Sequence, residues 1–299
     1  MRGFAMSDAN HEPIAKKSES VSGRIVRRFF RNRAATAAVI LLTLIVVLAI
    51  FAPYVTRVSY ETLDLRGRSA PPSAEHWLGT DRVGRDIWSR TVYGARISLI
   101  VGFASTAIAA LIGIVLGAAS GWFGGWVETL VMRFTDVVMT FPPIIIMLTL
   151  ASFLPRGLWP IVLIIGGLSW PGFARLVRGQ ILTLKETEFI SAAQALGAAD
   201  VRIMLRHLLP NALAPLMAMM SFAVGNAILT EAGLSFLGLG VPPPAPSWGN
   251  MLEAARNLDV LRNLPWAWLP PAFMTVLTVL CVNFIGDGLR DSVDARSVL

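Results

Sequence analysis

The chain has 299 residues, of which 55% are hydrophobic and only 15% charged, and its mean hydropathy is +0.62. Soluble domains carry about 25% charged residues, so this composition places the chain in a bilayer and leaves no room for a separate soluble catalytic domain. A net charge of +7 would also suit nucleic acid, but arginines cluster directly before an apolar run, where they orient membrane proteins, and no nucleic-acid partner is expected.

Crossing a bilayer core takes about 20 apolar residues in a helix. Six charge-free runs qualify: 34–56, 97–127, 137–155, 157–174, 208–230 and 263–286. The prediction is an all-α integral membrane protein with six transmembrane helices. Residues 1–33 read as a cytoplasmic tail closed by Arg24, Arg27, Arg28, Arg31 and Arg33. Its first 22 residues are polar, lack periodicity and are expected to be disordered. The run 34–56 starts too far in, and is too long, for a cleaved signal peptide, and reads as the first span.

The loop 57–96 carries seven arginines, which Glu61, Asp64, Glu75, Asp81 and Asp86 are expected to neutralise by local pairing. With both termini inside, the 26 Lys and Arg divide as 16 cytoplasmic and 10 outside, which satisfies the positive-inside bias. In the second run, Ser105, Ala109, Gly113, Gly117 and Gly121 recur every four residues. Small residues at that spacing let another helix approach closely, as a sliding surface or as static packing. Pro142–Pro143 should kink the third run. Trp122 and Trp126 are expected at the inner interface, and Trp159, Trp266 and Trp268 at the outer one.

The cytoplasmic segment 186–210 reads as two short helices. One spans 186–196, with Gly197 free to take positive φ at its end. Asp200 is expected to cap the second, and Pro210 to separate it from the fifth run. Phe189, Ile190, Ala193 and Leu196 make a small apolar face that has no lipid to enter. It calls for a protein partner, or else for the chain's own helices. The charge-free stretch 232–252 is too rich in proline and glycine for a lipid-exposed helix, and reads as a re-entrant or extracytoplasmic loop. Acids within or beside the spans are suspects for function. Asp136 and Asp287 fall at inner helix ends and Glu231 near an outer end, all within reach of water. Residues 288–299 form a cytoplasmic tail.

The segment Ser191-Ala192-Ala193, Gly197, Leu209-Pro210 resembles the coupling ("EAA") loop of ABC importer permeases, whose pattern is Glu-Ala-Ala, three residues, Gly, nine residues, Ile, any residue, Leu-Pro. Ser191 stands in place of the acid and His207 in place of the isoleucine. Around it, His76-Trp-Leu-Gly79-Thr80-Asp81, Gly84-Arg85-Asp86, Tyr93-Gly94-Ala95-Arg96, Gly121-Trp-Phe-Gly124-Gly125-Trp126, Glu231-Ala-Gly233-Leu-Ser235 and Gly286-Asp287-Gly288 are similar to the C-type subunit of dipeptide, oligopeptide and nickel importers. The resemblance covers nearly the whole chain. It implies a type I ABC importer permease fold, with 97–287 as the permease core in the bacterial inner membrane. It also implies a related B-type permease, two ABC ATPase subunits and an extracytoplasmic solute-binding protein. The coupling residues it implies are Phe189, Ile190, Ser191, Ala192, Ala193, Leu196, Gly197, Asp200, Leu209 and Pro210.

No GxxxxGK[ST] phosphate loop occurs, and the lysines are Lys16, Lys17 and Lys185. ATP and magnesium are therefore expected in partner subunits, with no cofactor or metal held here. His11, His76 and His207 are scattered, Cys281 lies inside an apolar run, and no nucleophile–base pair is visible. The predicted function is a pore-forming permease for di- or oligopeptides rather than an enzyme. The same machinery importing nickel chelates, oligosaccharides or another small solute is the near alternative, and a stand-alone secondary carrier the distant one.

Overall fold

The computed structural model describes residues 21–293. Residues 1–20, with the disorder expected of them, and 294–299 lie outside the described residues. Among the described residues the one β pairing outside the helices is an isolated bridge between Thr80 and Asp86. Five helices are long and apolar enough to cross a membrane, or six if a sharply bent pair counts as one span.

The chain opens with α1 (Val21–Arg31) and α2 (Arg33–Ile50). Asn32 separates them, and its side-chain oxygen accepts the N–H groups of Ala34 and Ala35 at 3.1 and 3.2 Å, satisfying donors that a first turn leaves open. The helix α1 reaches back to 21, so 21–22 are not part of a structureless tail. Phe29 anchors it: the ring is buried beside Gly288, where an added Cβ would lie 3.1 Å from the ring. A single turn, α3 (Ala52–Val55), leads into the loop 57–86.

Helix α4 (Ile87–Phe123) begins well before its apolar run because Asp86 accepts the Ser89 N–H at 2.7 Å and caps it. Arg96, on this early part, donates through Nη2 to the Ile50 carbonyl at 2.6 Å, and through Nε to that of Ala49. It thereby occupies carbonyls that the end of α2 leaves open. Next come α5 (Gly125–Thr140) and α6 (Pro143–Phe153), bent by 83°. The expected kink is therefore a break, and 137–155 is not one helix. Pro142 forces Phe141 into an extended conformation (φ −91°, ψ 141°), and two successive residues lack N–H donors. After it, α7 (Leu158–Leu168) and α8 (Trp170–Lys185) form one long span with a bend at Ser169, reaching past the predicted end at 174.

The remaining elements are α9 (Glu188–Ala195), α10 (Asp200–Ile203), a π-helical turn (Met204–Leu208), α11 (Leu209–Phe236), α12 (Trp248–Leu252), a 3-10 turn (Glu253–Arg256), α13 (Leu258–Asn263) and α14 (Pro265–Val293). Helix α4 is the hub, packed on α8, α11, α7 and α2, while α14 closes the other side of α11 and α2. The small-residue stripe explains the α4–α8 contact. A Cβ on Gly113 would sit 2.3 Å from Phe173 Cβ, one on Gly117 2.5 Å from the Ala174 carbonyl oxygen, and one on Gly121 3.0 Å from Ile181 Cβ. Ser105 and Ala109 are buried on the same line, and Ser105 donates to the Val162 carbonyl of α7 at 3.1 Å. The stripe is internal to this chain.

Candidate functional site

The segment between α8 and α11 is held from both sides. Lys185 at the end of α8 donates to the Trp122 carbonyl at 2.8 Å and lies over that indole. Trp122 is thus buried at the α4–α8 junction rather than at a lipid interface, because the α8 end covers it. Helix α9 starts after Thr187, and Gly197 takes φ +78°. The Ala198 N–H bonds to the Ala193 carbonyl at 3.1 Å and the Gly197 N–H to that of Gln194 at 2.9 Å, a paired closure that only a left-handed residue allows.

The apolar face of α9 divides. Ile190 is fully buried in the cluster of Trp122, Ile181, Ile203 and Leu208, and Ala193 packs on its edge. Phe189 is 46% exposed and Leu196 88%. One residue pins the helix to the bundle while two others stand uncovered. Ser191 and Ala192 are exposed on the same helix, and Phe189 meets the His207 ring at 6.4 Å.

Two expectations fail just downstream. Asp200 is the first residue of α10 and makes no cap, that place being Ala199. Pro210 does not separate two helices. The chain runs from Asp200 to Phe236 without a break, through a turn in which the Leu209 N–H bonds to the Met204 carbonyl five residues back. A proline cannot donate to residue i−4 and its ring crowds that carbonyl, and the wider π turn just before Pro210 gives the ring room.

The three acids differ. Asp136 is exposed and pairs with Arg175 of α8 at 2.7 Å. Asp287 is exposed on α14. Glu231 does not reach water: its exposure is 0%. Helix α12 folds back over it, and one carboxylate oxygen accepts the hydroxyls of Ser235 at 2.6 Å and Ser247 at 2.8 Å. The stretch 232–252 accordingly divides, its first residues continuing α11 to Phe236. Its last re-enter as α12, with Trp248 fully buried and donating from the indole to the Thr91 carbonyl at 2.9 Å.

At the end of the bundle opposite α9, the loop 57–86 does not use its acids to neutralise arginines. Asp81 accepts the N–H groups of Val83 and Arg85, both at 2.9 Å. Asp86 Oδ2 lies 2.9 Å from His76 Nδ1, and Asp64 3.6 Å from His76 Nε2. Burial pulls the His76 pKa down, but the hydrogen bond and charge of Asp86, then of Asp64, outweigh it and hold the imidazole above its ordinary value. Trp266 belongs to this loop rather than to an aromatic belt, donating to the Thr80 carbonyl at 3.2 Å. His76 and Trp248 were missed as organising residues. His76 carried only the signal of belonging to a family-like motif and Trp248 only that of lying in the proline-rich stretch 232–252, since nothing local to a residue reveals partners far along the chain.

The chain is similar to known proteins along most of its length. Residues 92–298 match the profile of the family described as binding-protein-dependent transport system inner membrane component. Residues 20–72 match the N-terminal TM domain of oligopeptide transport permease C. A peptide permease protein of Brucella suis biovar 1 is 46% identical over 92% of this chain and 91% of its own. The oligopeptide transport system permease protein OppC of Bacillus subtilis is 41% identical over 98% and 95%. The dipeptide transport system permease protein DppC of Alkalihalophilus pseudofirmus is 42% identical over 89% and 87%. Among solved structures, a chain of the MetNI methionine ABC transporter superposes with a TM-score of 0.56 at 20% identity, covering 67% of this chain and 94% of that one. This last likeness concerns the fold alone.

Proposed function

The chain belongs to the family of binding-protein-dependent transport system inner membrane components, and on that premise we propose that it is a pore-forming subunit of an ATP-driven importer of di- or oligopeptides. It is a transport subunit, not an enzyme. Its partners in this reading are a related B-type permease, two ABC ATPases that hold ATP and magnesium, and an extracytoplasmic solute-binding protein. The relatives named as peptide permeases support the substrate class. Both termini and the segment 186–210 lie in the cytoplasm, as the arginine and lysine distribution favours. The loop 57–86 and α12 lie outside.

The observation that carries the coupling role is the division of α9: Ile190 buried, Phe189 and Leu196 uncovered. A rigid knob of this kind transmits displacement, because movement of Ile190 must move the α8–α4 cluster beneath it. The same push enters α11, which starts at Leu209 and carries it about 33 Å, at 1.5 Å per residue, to the Glu231–Ser247 contact. Closure of the ATPases shifts the bundle between inward and outward openings only if they bind the two states with different affinity.

The test is reconstitution with the ATPases and the binding protein. Gly197→Trp strains a position at φ +78°, and no neighbour within the chain blocks it. Insertion and ATPase co-purification are expected to persist while peptide uptake falls to background. Unchanged uptake, or a wild-type chain that purifies with no ATPase in mild detergent, would overturn the proposal.

A further inference from the structure

We infer that the arginine-lined cavity at the end of the bundle opposite α9 is a binding site for the carboxylate of a small solute, with the Arg90 guanidinium as its anion-holding group. The cavity has a volume of about 810 Å³, within the range of small-molecule sites. Its walls carry Arg82, Arg85, Arg90, Arg156 and Arg256 against two carboxylates, Asp81 and Glu253. Arg82 faces Asp259 at 3.6 Å and Arg256 faces Glu253 at 3.7 Å. Asp81 is engaged by backbone N–H groups. Among the described residues, Arg85, Arg90 and Arg156 have no acid within 4.0 Å.

Arg90 is the informative one. It is 5% exposed, and its hydrogen bond is a long one, Nη1 to the Pro244 carbonyl at 3.5 Å. A guanidinium has five donors and stays charged; Asp81 acts on it only from beyond 4.0 Å, and a buried charge without a directly paired counter-ion is costly. An anion entering the cavity offsets that cost with a bidentate contact. The group is also held ready: Arg90 sits in the first turns of α4, behind the Asp86 cap. Across the cavity, Asn250 ties the loop by donating to the Val241 and Ala245 carbonyls at 3.1 and 2.8 Å. Arg90 lies so deep that a group must enter the cavity to reach it, which favours a small solute over a docked protein surface. The source is the terminal carboxylate of a transported peptide, an assignment that rests on the function proposed above.

The test uses the reconstituted importer carrying Ala254→Cys, an exposed cavity-wall position; the native Cys281 is buried. Modification by a negatively charged methanethiosulfonate is timed with no binding protein present. Tri-alanine at ten times its dissociation constant should slow modification about tenfold, tri-alanine amide should not, and Arg90→Gln should abolish the protection. Equal protection by peptide and amide overturns the inference, as does protection that survives Arg90→Gln. Stronger protection by inorganic phosphate overturns it too. Should Arg90→Gln fail to insert, Arg85→Gln with Arg156→Gln must weaken protection at least threefold, and unchanged protection sinks the idea. Uptake of tri-alanine with binding protein and ATP in the same vesicles separates the two proposals. Uptake without protection removes the site alone, whereas absence of any peptide uptake removes the function.

Discussion

Glu231 of α11 and Ser247 at the start of α12 meet through a 2.8 Å hydrogen bond in which the serine hydroxyl donates to the carboxylate. The same hydroxyl accepts the Asn250 N–H at 3.0 Å, so one oxygen both caps α12 and ties it to α11. Gly249 permits the approach, since a Cβ there would lie 2.7 Å from Ala232 Cα. Trp248, wedged between, fastens the same short helix to α4.

Removing the carboxylate should loosen that junction. Glu231→Ala leaves two buried hydroxyls without their acceptor and should cost about 1–3 kcal/mol. Glu231→Gln keeps an acceptor oxygen and should cost less. Thermal unfolding of the detergent-purified complex orders the variants; a Gln variant as unstable as Ala would contradict the hydrogen-bonding role.

On α9, burial and exposure should separate stability from transport. Ile190→Ala empties a fully buried site and should destabilise by about 2–5 kcal/mol. Leu196→Arg alters a residue 88% exposed, so the unfolding temperature should hold while ATP-driven uptake and ATPase co-purification fall. Loss of stability with retained uptake in Leu196→Arg would reverse the assignment.

Gly113→Leu places a side chain where even a Cβ meets Phe173 at 2.3 Å. Little folded protein should be recovered from membranes. Gly179→Ala, at a helical position with nothing within 4 Å, should be neutral or stabilise by up to about 1 kcal/mol. Comparable yields of the two variants would show that the α4–α8 contact is looser than it stands here.

The loop 57–86 should weaken as pH rises. The folded pKa of His76 lies above its unfolded value of about 6.5, so its contribution is full below that value and is lost as pH climbs through the folded one. Asp64 works oppositely. The N–H groups of Gly67 and then Arg66 hold its carboxyl below the ordinary range, and its share is lost only as pH falls through that lowered value. Unfolding temperatures measured between about pH 6 and 9 should decline for the wild type and flatten for His76→Gln. Parallel curves would remove His76 as the source.

What residues declare about themselves was legible from sequence: apolar runs long enough to span, the left-handed end at Gly197, a distortion at Pro142–Pro143 (though not that it breaks the helix), and the small-residue spacing from Ser105 to Gly121. Each follows from period, length or a single residue's backbone limits. What depends on distant partners was not legible. Glu231 looks water-accessible until α12 folds over it, Pro210 looks like a helix break until a π turn accommodates it, and the arginines of 57–96 look neutralised until Asp64, Asp81 and Asp86 are taken by His76 and backbone N–H groups. Burial and pairing are properties of contacts made across the chain, and those only the packed bundle decides.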